Sequence, residues 1–447
     1  MNRLEFYSFT LWNYPYLPPE DELESIWVNL HNSIYDPQVG HRRLRDYIDV
    51  FAQSEEFGFD GIVVNEHHAT PGATTPSPNL NAAFLIAKTE RIPIAVIGNM
   101  LPAHLSPVRV AEEIAYLDVV SGGRVICGLV RGTGMEYYVH PVDPSRARDI
   151  FWEAHDLILK AWREPGPFAW NGEHFHIPTV NPWPRPLQQP HPEIWIPGVG
   201  SLDTIEIVAR HRHRYMTVFA PKFFVQKQYE LFRHLAEEKY GYTPAPNQLL
   251  ATVPTYVAET DEQAHREAKA HMLWLFHMHL RVPPHIFFPP GFMEKRSFRN
   301  MVEAKMKYGL KDFTDLTYED LLEQGYIIVG SPQTVVDKLA DYAENVGAGG
   351  FIGMGSPFGA MPKWMTLKCM QILSEEVFPH FRENGKPVWQ NAPRPAPHTV
   401  SEFAARENSP AYQPSIRMEA GAAPVDPRLA HVPEIAAARE KKPKPAK

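Results

Sequence analysis

Short apolar segments alternate with longer amphipathic stretches from the N-terminus to about Phe381. Some of the short segments are apolar on consecutive residues, as in Gly61-Ile62-Val63-Val64. Such runs are typical of parallel strands that are covered on both faces. The pattern predicts these strands: Leu4–Trp12, Gly61–Asn65, Ile92–Met100, Arg124–Val130, Ile194–Gly198, Tyr215–Ala220, Leu250–Ala258 and Gly350–Met354.

The amphipathic stretches between the strands have the ends expected of helices. Ser106-Pro107 and Ser331-Pro332 each place an N-cap serine before a proline at the first helical position, and Ser145–Trp162 and Lys222–Tyr240 are further helices. Strands that alternate with helices in this way favour an α/β fold, a closed parallel (β/α)8 TIM barrel. The rival fold, an open doubly wound sheet, normally shows Gly-x-Gly-x-x-Gly behind its first strand, and no such motif opens a helix there.

Three segments exceed what a minimal barrel needs. Asn13–Gly40 is an insertion after the first strand and Met272–Tyr326 an insertion after the seventh, so both are expected at the carboxyl end of the barrel, where active sites lie. They are interpreted as lids or substrate-pocket walls, with decoration or an oligomer contact as the alternative. Phe168–Pro192 begins with Asn-Gly between aromatic residues, which predicts a hairpin before the fifth strand.

Composition divides the chain into two parts. Residues 1–385 form the predicted barrel domain, and residues 386–447 are a Pro- and Ala-rich tail without a periodic apolar face, which is expected to be disordered. Two cysteines in 447 residues and an N-terminus without an apolar leader predict a cytoplasmic protein. A net charge of −8 argues against nucleic-acid binding, and no apolar run predicts a membrane span.

Glu66-His67-His68 directly follows the second predicted strand, at the rim where a barrel carries its catalytic residues. Such a triplet can supply a general base, an electrostatic partner and an orienting carboxylate. Two satisfied structural histidines are the alternative. A metal site is disfavoured and none is expected, because adjacent histidines of a strand point to opposite faces and the other histidines show no ligand spacing.

Two glycine-rich loops are candidate anion sites. Arg131 and Gly132 follow the fourth predicted strand, where a guanidinium can bind a phosphate or an anionic ring and a glycine lets the backbone approach a flat ligand. Gly200, Ser201 and Thr204 lie between the fifth strand and a helix, and backbone N–H groups at a helix N-terminus bind anions. An ordinary capped turn also explains the second loop, but an arginine one strand away favours a phosphate.

Taken in chain order, these motifs resemble the luciferase-like family of flavin-dependent monooxygenases. Each motif is weak alone, and their order over about Leu4 to Phe381 makes the resemblance specific. The series is Gly58-Phe59-Asp60, Glu66-His67-His68, Leu101-Pro102, Pro107-Val108-Arg109, Ala111-Glu112-Glu113, Leu117-Asp118, Ser121-Gly122-Gly123-Arg124, Arg131-Gly132, Gly200-Ser201 and Gly330-Ser331-Pro332.

The resemblance implies that the barrel binds reduced FMN, a co-substrate delivered by a separate NAD(P)H:flavin reductase. It implies that O2 adds at flavin C4a, that the peroxyflavin oxygenates an apolar organic substrate, and that the protein is a homodimer. His67 would be the catalytic histidine, with Glu66 and His68 beside it. The expected cofactor-binding residues are Gly98, Asn99 and Met100 against the isoalloxazine, Arg131, Ser201 and Thr204 at the phosphate, and the glycines Gly132 and Gly200 beside them.

The chain departs from the light-emitting members of that family. Gly200 stands where they carry a glutamate, Leu101–Pro107 is one residue longer, and Asn13–Gly40 is expanded. These differences argue against light emission and long-chain aldehyde use. Two alternatives stay open: a deazaflavin-dependent dehydrogenase that transfers hydride on the same barrel, and a flavin-binding subunit without turnover. Glu66-His67-His68 and Arg131-Gly132 favour the monooxygenase.

Overall fold

Eight parallel strands close into a barrel, which confirms the predicted fold. The computed structural model describes residues 3–293, 295–356, 358–382, 385–387 and 389, apart from the side chains at 296, 297, 300, 301 and 304. The tail expected from residue 386 lies outside the described residues, except for 386, 387 and 389. The strands are β1 Glu5–Ser8, β2 Gly61–Val64, β3 Ile94–Met100, β4 Val125–Val130, β5 Phe168–Asn171, β6 His176–Val180, β7 Ile194–Gly198, β8 Arg214–Thr217, β9 Leu249–Val257, β10 Ile328–Gly330 and β11 Gly350–Met354.

The ring of strands runs β1-β2-β3-β4-β7-β8-β9-β11, and β11 returns to pair with β1. All pairings between these eight strands are parallel, so the carboxyl ends of all eight lie at the same rim of the barrel. Each residue of β2, β3 and β9 is buried, as expected for strands that have helices outside and packed side chains inside.

Helices cover the outside of the barrel. Both predicted N-cap serines, Ser106 and Ser331, precede a helix that begins with proline. None of the described helices has the length and apolar character that crossing a membrane requires. The helices are α1 Pro37–Ala52, α2 Pro78–Lys88, α3 Pro107–Ser121, α4 Ala147–Arg163, α5 Leu202–His211, α6 Lys222–His234, α7 Asp261–Trp274, α8 Pro284–Phe287, α9 Lys295–Tyr308, α10 Tyr318–Glu323, α11 Pro332–Val346 and α12 Lys363–Ile372.

Three details differ from the sequence prediction. The first strand ends at Ser8 rather than Trp12, because the chain then leaves the barrel and Trp12 stacks on Tyr47 of α1, with ring centroids 5.6 Å apart. The short strand β10 was not predicted; it pairs with the second half of β9, which extends beyond its barrel neighbours. The predicted hairpin is confirmed as β5 and β6, and Asn171 and Gly172 do not form its whole turn, because the loop spans residues 172–175.

The two insertions lie together at the carboxyl end of the barrel. The indole Nε1 of Trp27, in the first insertion, donates to the carbonyl of His279 in the second, at 2.6 Å. Ile26 and Trp27 also share a buried apolar cluster with Met278 and Ile286. This contact places both insertions above the strand ends that carry the candidate site residues.

Candidate active site

His67 is held by a buried carboxylate that the sequence did not reveal. Its Nδ1 lies 2.9 Å from Oε1 of Glu136, and the other oxygen of Glu136 accepts from the backbone N–H of His68 at 3.2 Å. Glu136 is 3% exposed and lies in the turn Gly134–Tyr138 that follows β4. Because a carboxylate only accepts hydrogen bonds, Nδ1 of His67 carries a proton and Nε2 is the nitrogen left to serve a ligand.

Aromatic rings from the two insertions pack against His67. The rings of Trp27 and His67 meet edge to face at 5.3 Å, and the ring of His279 lies 5.9 Å from that of His67. His279 is buried, and this burial, with His67 nearby, lowers its pKa well below the usual value. His67 therefore lies between a fixed carboxylate and rings that are neutral near pH 7.

Glu66 and His68 form a second linked pair at the same rim. Nε2 of His68 lies 3.0 Å from Oε1 of Glu66, and this hydrogen bond is the main reason that the pKa of His68 is raised. The other oxygen of Glu66 accepts from the backbone N–H of Met100 at 3.1 Å. His140 packs edge to face on His68 at 4.5 Å, so Glu66, His68 and His140 could also jointly hold a cation.

Gly98, Asn99 and Met100 form the carboxyl end of β3, beside β4. A Cβ at Gly98 would lie 2.6 Å from the carbonyl oxygen of Gly128, so only glycine fits between these strands. The side-chain amides of Asn99 and Asn79 exchange hydrogen bonds of 2.9 and 3.1 Å. Gly98, Asn99 and Met100 are all buried, and the close approach of β3 to β4 fixes the backbone at this edge.

Arg131 and Gly132 continue β4 next to Met100. A Cβ at Gly132, where φ is +86°, would come within 2.7 Å of the Met100 side chain. The guanidinium of Arg131 lies 4.3 Å from the centre of the Phe292 ring and donates to the Phe292 carbonyl at 3.2 Å. Arg131 thus has partners in the second insertion, and its guanidinium lies under that insertion.

Gly200, Ser201 and Thr204 lie at the start of α5, after β7, which pairs with β4. Gly200 has a φ of +97°, and a Cβ there would lie 2.9 Å from the ring of Phe224. The side chain of Ser201, the N-cap, makes no capping hydrogen bond to α5. The first N–H groups of a helix lack intrahelical acceptors, so this loop offers donors to an anion.

Several buried polar atoms at this end of the barrel have no hydrogen-bond partner among the described residues. Buried polar atoms are normally satisfied, so each of these atoms indicates room for a polar ligand or for water. Gln228 is the most informative, because its carboxamide carbon lies 3.2 Å from the Cβ position of Gly200. These atoms are Nδ2 of Asn65, Oγ1 of Thr133, Nε2 of His140, Nε2 of Gln228 and Nδ1 of His279.

The structure therefore brings most of the predicted site residues into one connected group. Glu66 and Met100 are joined by a hydrogen bond, and His67 is linked to the loop of Arg131 through Glu136. Gly200, Ser201 and Thr204 follow the neighbouring strand. Sequence reasoning missed Glu136, although it lies five residues after Arg131 in the same glycine-rich segment.

Comparison with known proteins identifies relatives over parts of the chain. It is 30% identical over 175 residues to the oxygenase component of the flavin-dependent trigonelline monooxygenase of Acinetobacter baylyi, covering 38% of this chain and 48% of that protein. It is 22% identical over 357 residues to 2,5-diketocamphane 1,2-monooxygenase 2 of Pseudomonas putida, covering 76% and 95%. The first relatives are thus matched over about half of their length.

Solved structures share the fold. The oxygenating constituent of 3,6-diketocamphane monooxygenase from Pseudomonas putida, in complex with FMN, matches with a TM-score of 0.64 and 20% identity, over 84% of this chain and 98% of that one. The F420-dependent tetrahydromethanopterin reductase of Methanopyrus kandleri matches with a TM-score of 0.58 and 17% identity, over 86% and 100%. The sequence model of the luciferase-like monooxygenases matches residues 25–348, and the chain therefore belongs to this family.

Proposed function

We propose that the protein is a flavin-dependent monooxygenase that uses reduced FMN and O2 to oxygenate an apolar organic molecule. The observation that carries this proposal is the His67–Glu136 pair, a histidine with a fixed tautomer beside the β3–β4 edge. The trigonelline monooxygenase relative is an oxygenase component by name. We infer from it that a separate NAD(P)H:flavin reductase also supplies this protein.

The residues present fit an FMN molecule. Ser201, Thr204 and the N-terminal N–H groups of α5 would hold the phosphate, together with Arg131 and the orphaned amide of Gln228. Gly98, Asn99 and Met100, at the carboxyl end of β3, would lie against the flavin ring. When bound, reduced flavin supplies the electrons that activate O2, and the protein orients and shields it.

His67 is the residue proposed to handle a proton during the reaction. Glu136 fixes the proton on Nδ1, so Nε2 can accept a proton from a bound molecule, and Glu136 then stabilises the positive charge that forms on the ring. Trp27 and His279 close the other side of His67, which limits access of water. Glu66 and His68 would position this rim through the Met100 backbone rather than react themselves.

The two insertions are proposed to form the substrate pocket. Ile26 and Trp27 of the first insertion pack with Met278 and Ile286 of the second and with Met135 of the turn after β4, and together they form an apolar layer above the strand ends. An apolar or aromatic organic substrate suits such a wall, because burying it removes apolar area from water. Polar contacts to the substrate would come from the histidines at the rim.

A homodimer is proposed through α2 and α3. These helices expose apolar side chains to solvent: Leu80 is 63% exposed, Phe84 53%, Tyr116 60% and Val120 58%. A contiguous patch of exposed apolar side chains is typical of a surface that binds another protein. A second copy of the chain would cover this face without obstructing the carboxyl end of the barrel.

Rapid mixing tests the proposed function. Protein loaded anaerobically with reduced FMN is mixed with oxygenated buffer while absorbance is followed. We expect a transient band in the near ultraviolet that is distinct from oxidised flavin, and we expect His67→Ala to shorten its lifetime without abolishing flavin binding.

The competing functions give different results in the same experiment. Wild-type protein that binds reduced FMN but returns oxidised flavin as fast as free FMN does, with and without apolar test substrates, contradicts the monooxygenase proposal. Tight binding and hydride transfer with the deazaflavin F420 in place of FMN would establish the dehydrogenase. Unchanged kinetics in His67→Ala would remove His67 from the mechanism.

A further inference from the structure

Three histidines converge at the end of the barrel opposite the candidate active site. His155 lies in α4, His211 is the last residue of α5, and His213 directly precedes β8. Residues just before a parallel strand lie at the amino end of the barrel, whereas His67 follows a strand at the carboxyl end. The cluster is therefore separate from the residues proposed to bind flavin.

The three imidazoles are spaced closely enough to share one ion. One ring nitrogen from each lies within 4.8 Å of the others, and Nε2 of His155 is 2.9 Å from Nε2 of His213. The rings of His211 and His213 stack with centroids 5.4 Å apart. Ligands of a tetrahedral zinc ion with bonds of about 2.0–2.1 Å lie roughly 3.4 Å apart. Small movements, mainly of the half-buried His211, would complete this geometry.

A neighbouring carboxylate prepares His155 for ligation. Nδ1 of His155 donates to Oδ1 of Asp156 at 2.9 Å, which leaves the lone pair on Nε2, the atom that faces His213. A carboxylate hydrogen-bonded to the far nitrogen is the usual support of a metal-bound histidine.

The backbone between α5 and β8 brings two of the histidines to the same side. Arg212 has a φ of +58°, a left-handed conformation that favours glycine, and it reverses the chain between His211 and His213. The N–H of His213 donates to the carbonyl of Val208 at 3.1 Å, which fixes the turn. An open cavity beside His211 and His213 is also lined by Glu193, Arg212 and Arg214.

Arginine side chains near the cluster oppose metal binding: Arg212 and Arg214 line the adjoining cavity, and Arg210 contacts His211 directly. The guanidinium of Arg210 donates to Nε2 of His211 at 3.2 Å, and its positive charge would repel a metal ion. Both residues lie in the last turn of α5. Arg210 is therefore expected to weaken metal binding, and a variant without its guanidinium should bind the metal ion more tightly.

We propose that His155, His211 and His213 form a binding site for a divalent transition-metal ion of the zinc class, with water completing the tetrahedron. Neutral imidazole nitrogen suits zinc, copper and nickel, whereas magnesium and calcium prefer oxygen. The ion would join α4 to the connection between α5 and β8. Its role would be to stabilise the amino end of the barrel, independent of the flavin reaction.

Metal titration of the full chain tests the site. Protein without a polyhistidine tag is stripped with EDTA and titrated with ZnCl2 by calorimetry, and with CoCl2 while the visible bands of tetrahedral cobalt are followed. We expect one equivalent of Zn2+ to bind, to raise the melting temperature and to produce those bands with cobalt. His211→Gln and Asp156→Asn should each weaken Zn2+ binding at least tenfold.

Two further variants make the test specific. Arg210→Ala should bind Zn2+ more tightly than the wild type, and His176→Gln, which changes an exposed histidine of β6, should bind it equally well. Equal Zn2+ affinity in wild type, His211→Gln and Asp156→Asn would overturn the proposal. Loss of binding in His140→Gln instead would assign the metal to Glu66, His68 and His140 and would overturn it too.

Discussion

Replacing Glu136 with glutamine tests whether the orientation of His67 governs the chemistry. The two carboxylate oxygens of Glu136 accept from Nδ1 of His67 at 2.9 Å and from the backbone N–H of His68 at 3.2 Å. Glutamine has nearly the same shape but only one acceptor oxygen, so its NH2 group must face one of these two donors. Glu136→Gln therefore loses one charge-assisted hydrogen bond and the negative charge beside His67.

The expected effect follows from that lost bond. A hydrogen bond to a charged group contributes about 1.5–3 kcal/mol, and each 1.36 kcal/mol in an activation barrier is about a factor of ten in rate. If the bond acts in the step that His67 assists, Glu136→Gln changes its rate by roughly 10- to 150-fold. FMN affinity should change less than twofold, because the oxygens of Glu136 accept from His67 and His68, whereas the phosphate is assigned to Arg131, Ser201 and Thr204.

The assay is the rapid-mixing experiment with reduced FMN and oxygen, and the lifetime of the near-ultraviolet band is the measured quantity. Glu153→Gln is the matched control. The carboxylate of Glu153 also serves several donors, accepting from the indole of Trp170 at 3.0 Å and from the N–H groups of His174 and Phe175 at 2.8 and 3.0 Å. The carboxylate of Glu153 joins α4 to the β5–β6 hairpin, so its loss should lower the stability of the fold without altering flavin oxidation.

Two results would refute the reasoning. A Glu136→Gln protein with the wild-type band lifetime would show that His67 needs no fixed tautomer. An equal change of lifetime in Glu136→Gln and Glu153→Gln would show that both variants act by loosening the fold. A urea unfolding curve for each variant separates that second case from a specific effect.

Three further predictions concern stability and assembly. Burial keeps His279 unprotonated in the folded protein, whereas the unfolded chain gains a proton at this residue below about pH 6.5. The free energy of unfolding should therefore fall as the pH decreases, by up to about 1.4 kcal/mol per pH unit from this group. Urea unfolding at pH 5 and pH 7 should show a smaller difference in that free energy for His279→Gln than for the wild type. Gly128→Ala places a Cβ against the carbonyl oxygen of Val96 and should destabilise the barrel more than Gly122→Ala, which bears only the strain of its φ of +73°, since no atom of the described residues lies within 4 Å of that Cβ. Denaturant unfolding compares the two variants, and equal losses would contradict the packing argument. Phe84→Glu should convert a dimer into a monomer in analytical ultracentrifugation, and a dimer that persists would exclude α2 from the interface.

The barrel could be predicted because its signal is local. Consecutive apolar residues in β2 and β3 and the Ser-Pro helix starts of α3 and α11 each lie within a few residues of sequence. Errors occurred where a distant partner decides the structure. β10 forms a strand because it pairs with the part of β9 that extends past its barrel neighbours. The first strand ends early because Trp12 packs on Tyr47 of α1.

The candidate site could be predicted only in part for the same reason. Parallel strands bring every residue just after a strand to one rim, so His67 and Arg131 could be placed together from strand order alone. Glu136 lies 69 residues from its partner His67, inside a short turn whose side-chain directions no periodicity reveals. His279 reaches the site from an insertion, and its position depends on packing against Trp27.

The same topology explains why one barrel can carry two independent sites. Residues that follow strands meet at one rim, and residues that precede strands meet at the other, so His213 and His67 are kept at opposite ends by the strands themselves. A metal ion at His211 would lie at the opposite end of α5 from the proposed phosphate loop at Ser201, so we expect it to act on the flavin reaction mainly through global stability. If Zn2+ raises the melting temperature, it should leave the lifetime of the near-ultraviolet band unchanged well below that temperature. A Zn2+-dependent lifetime that survives in His211→Gln would instead place the ion among Glu66, His68 and His140, at the reactive rim.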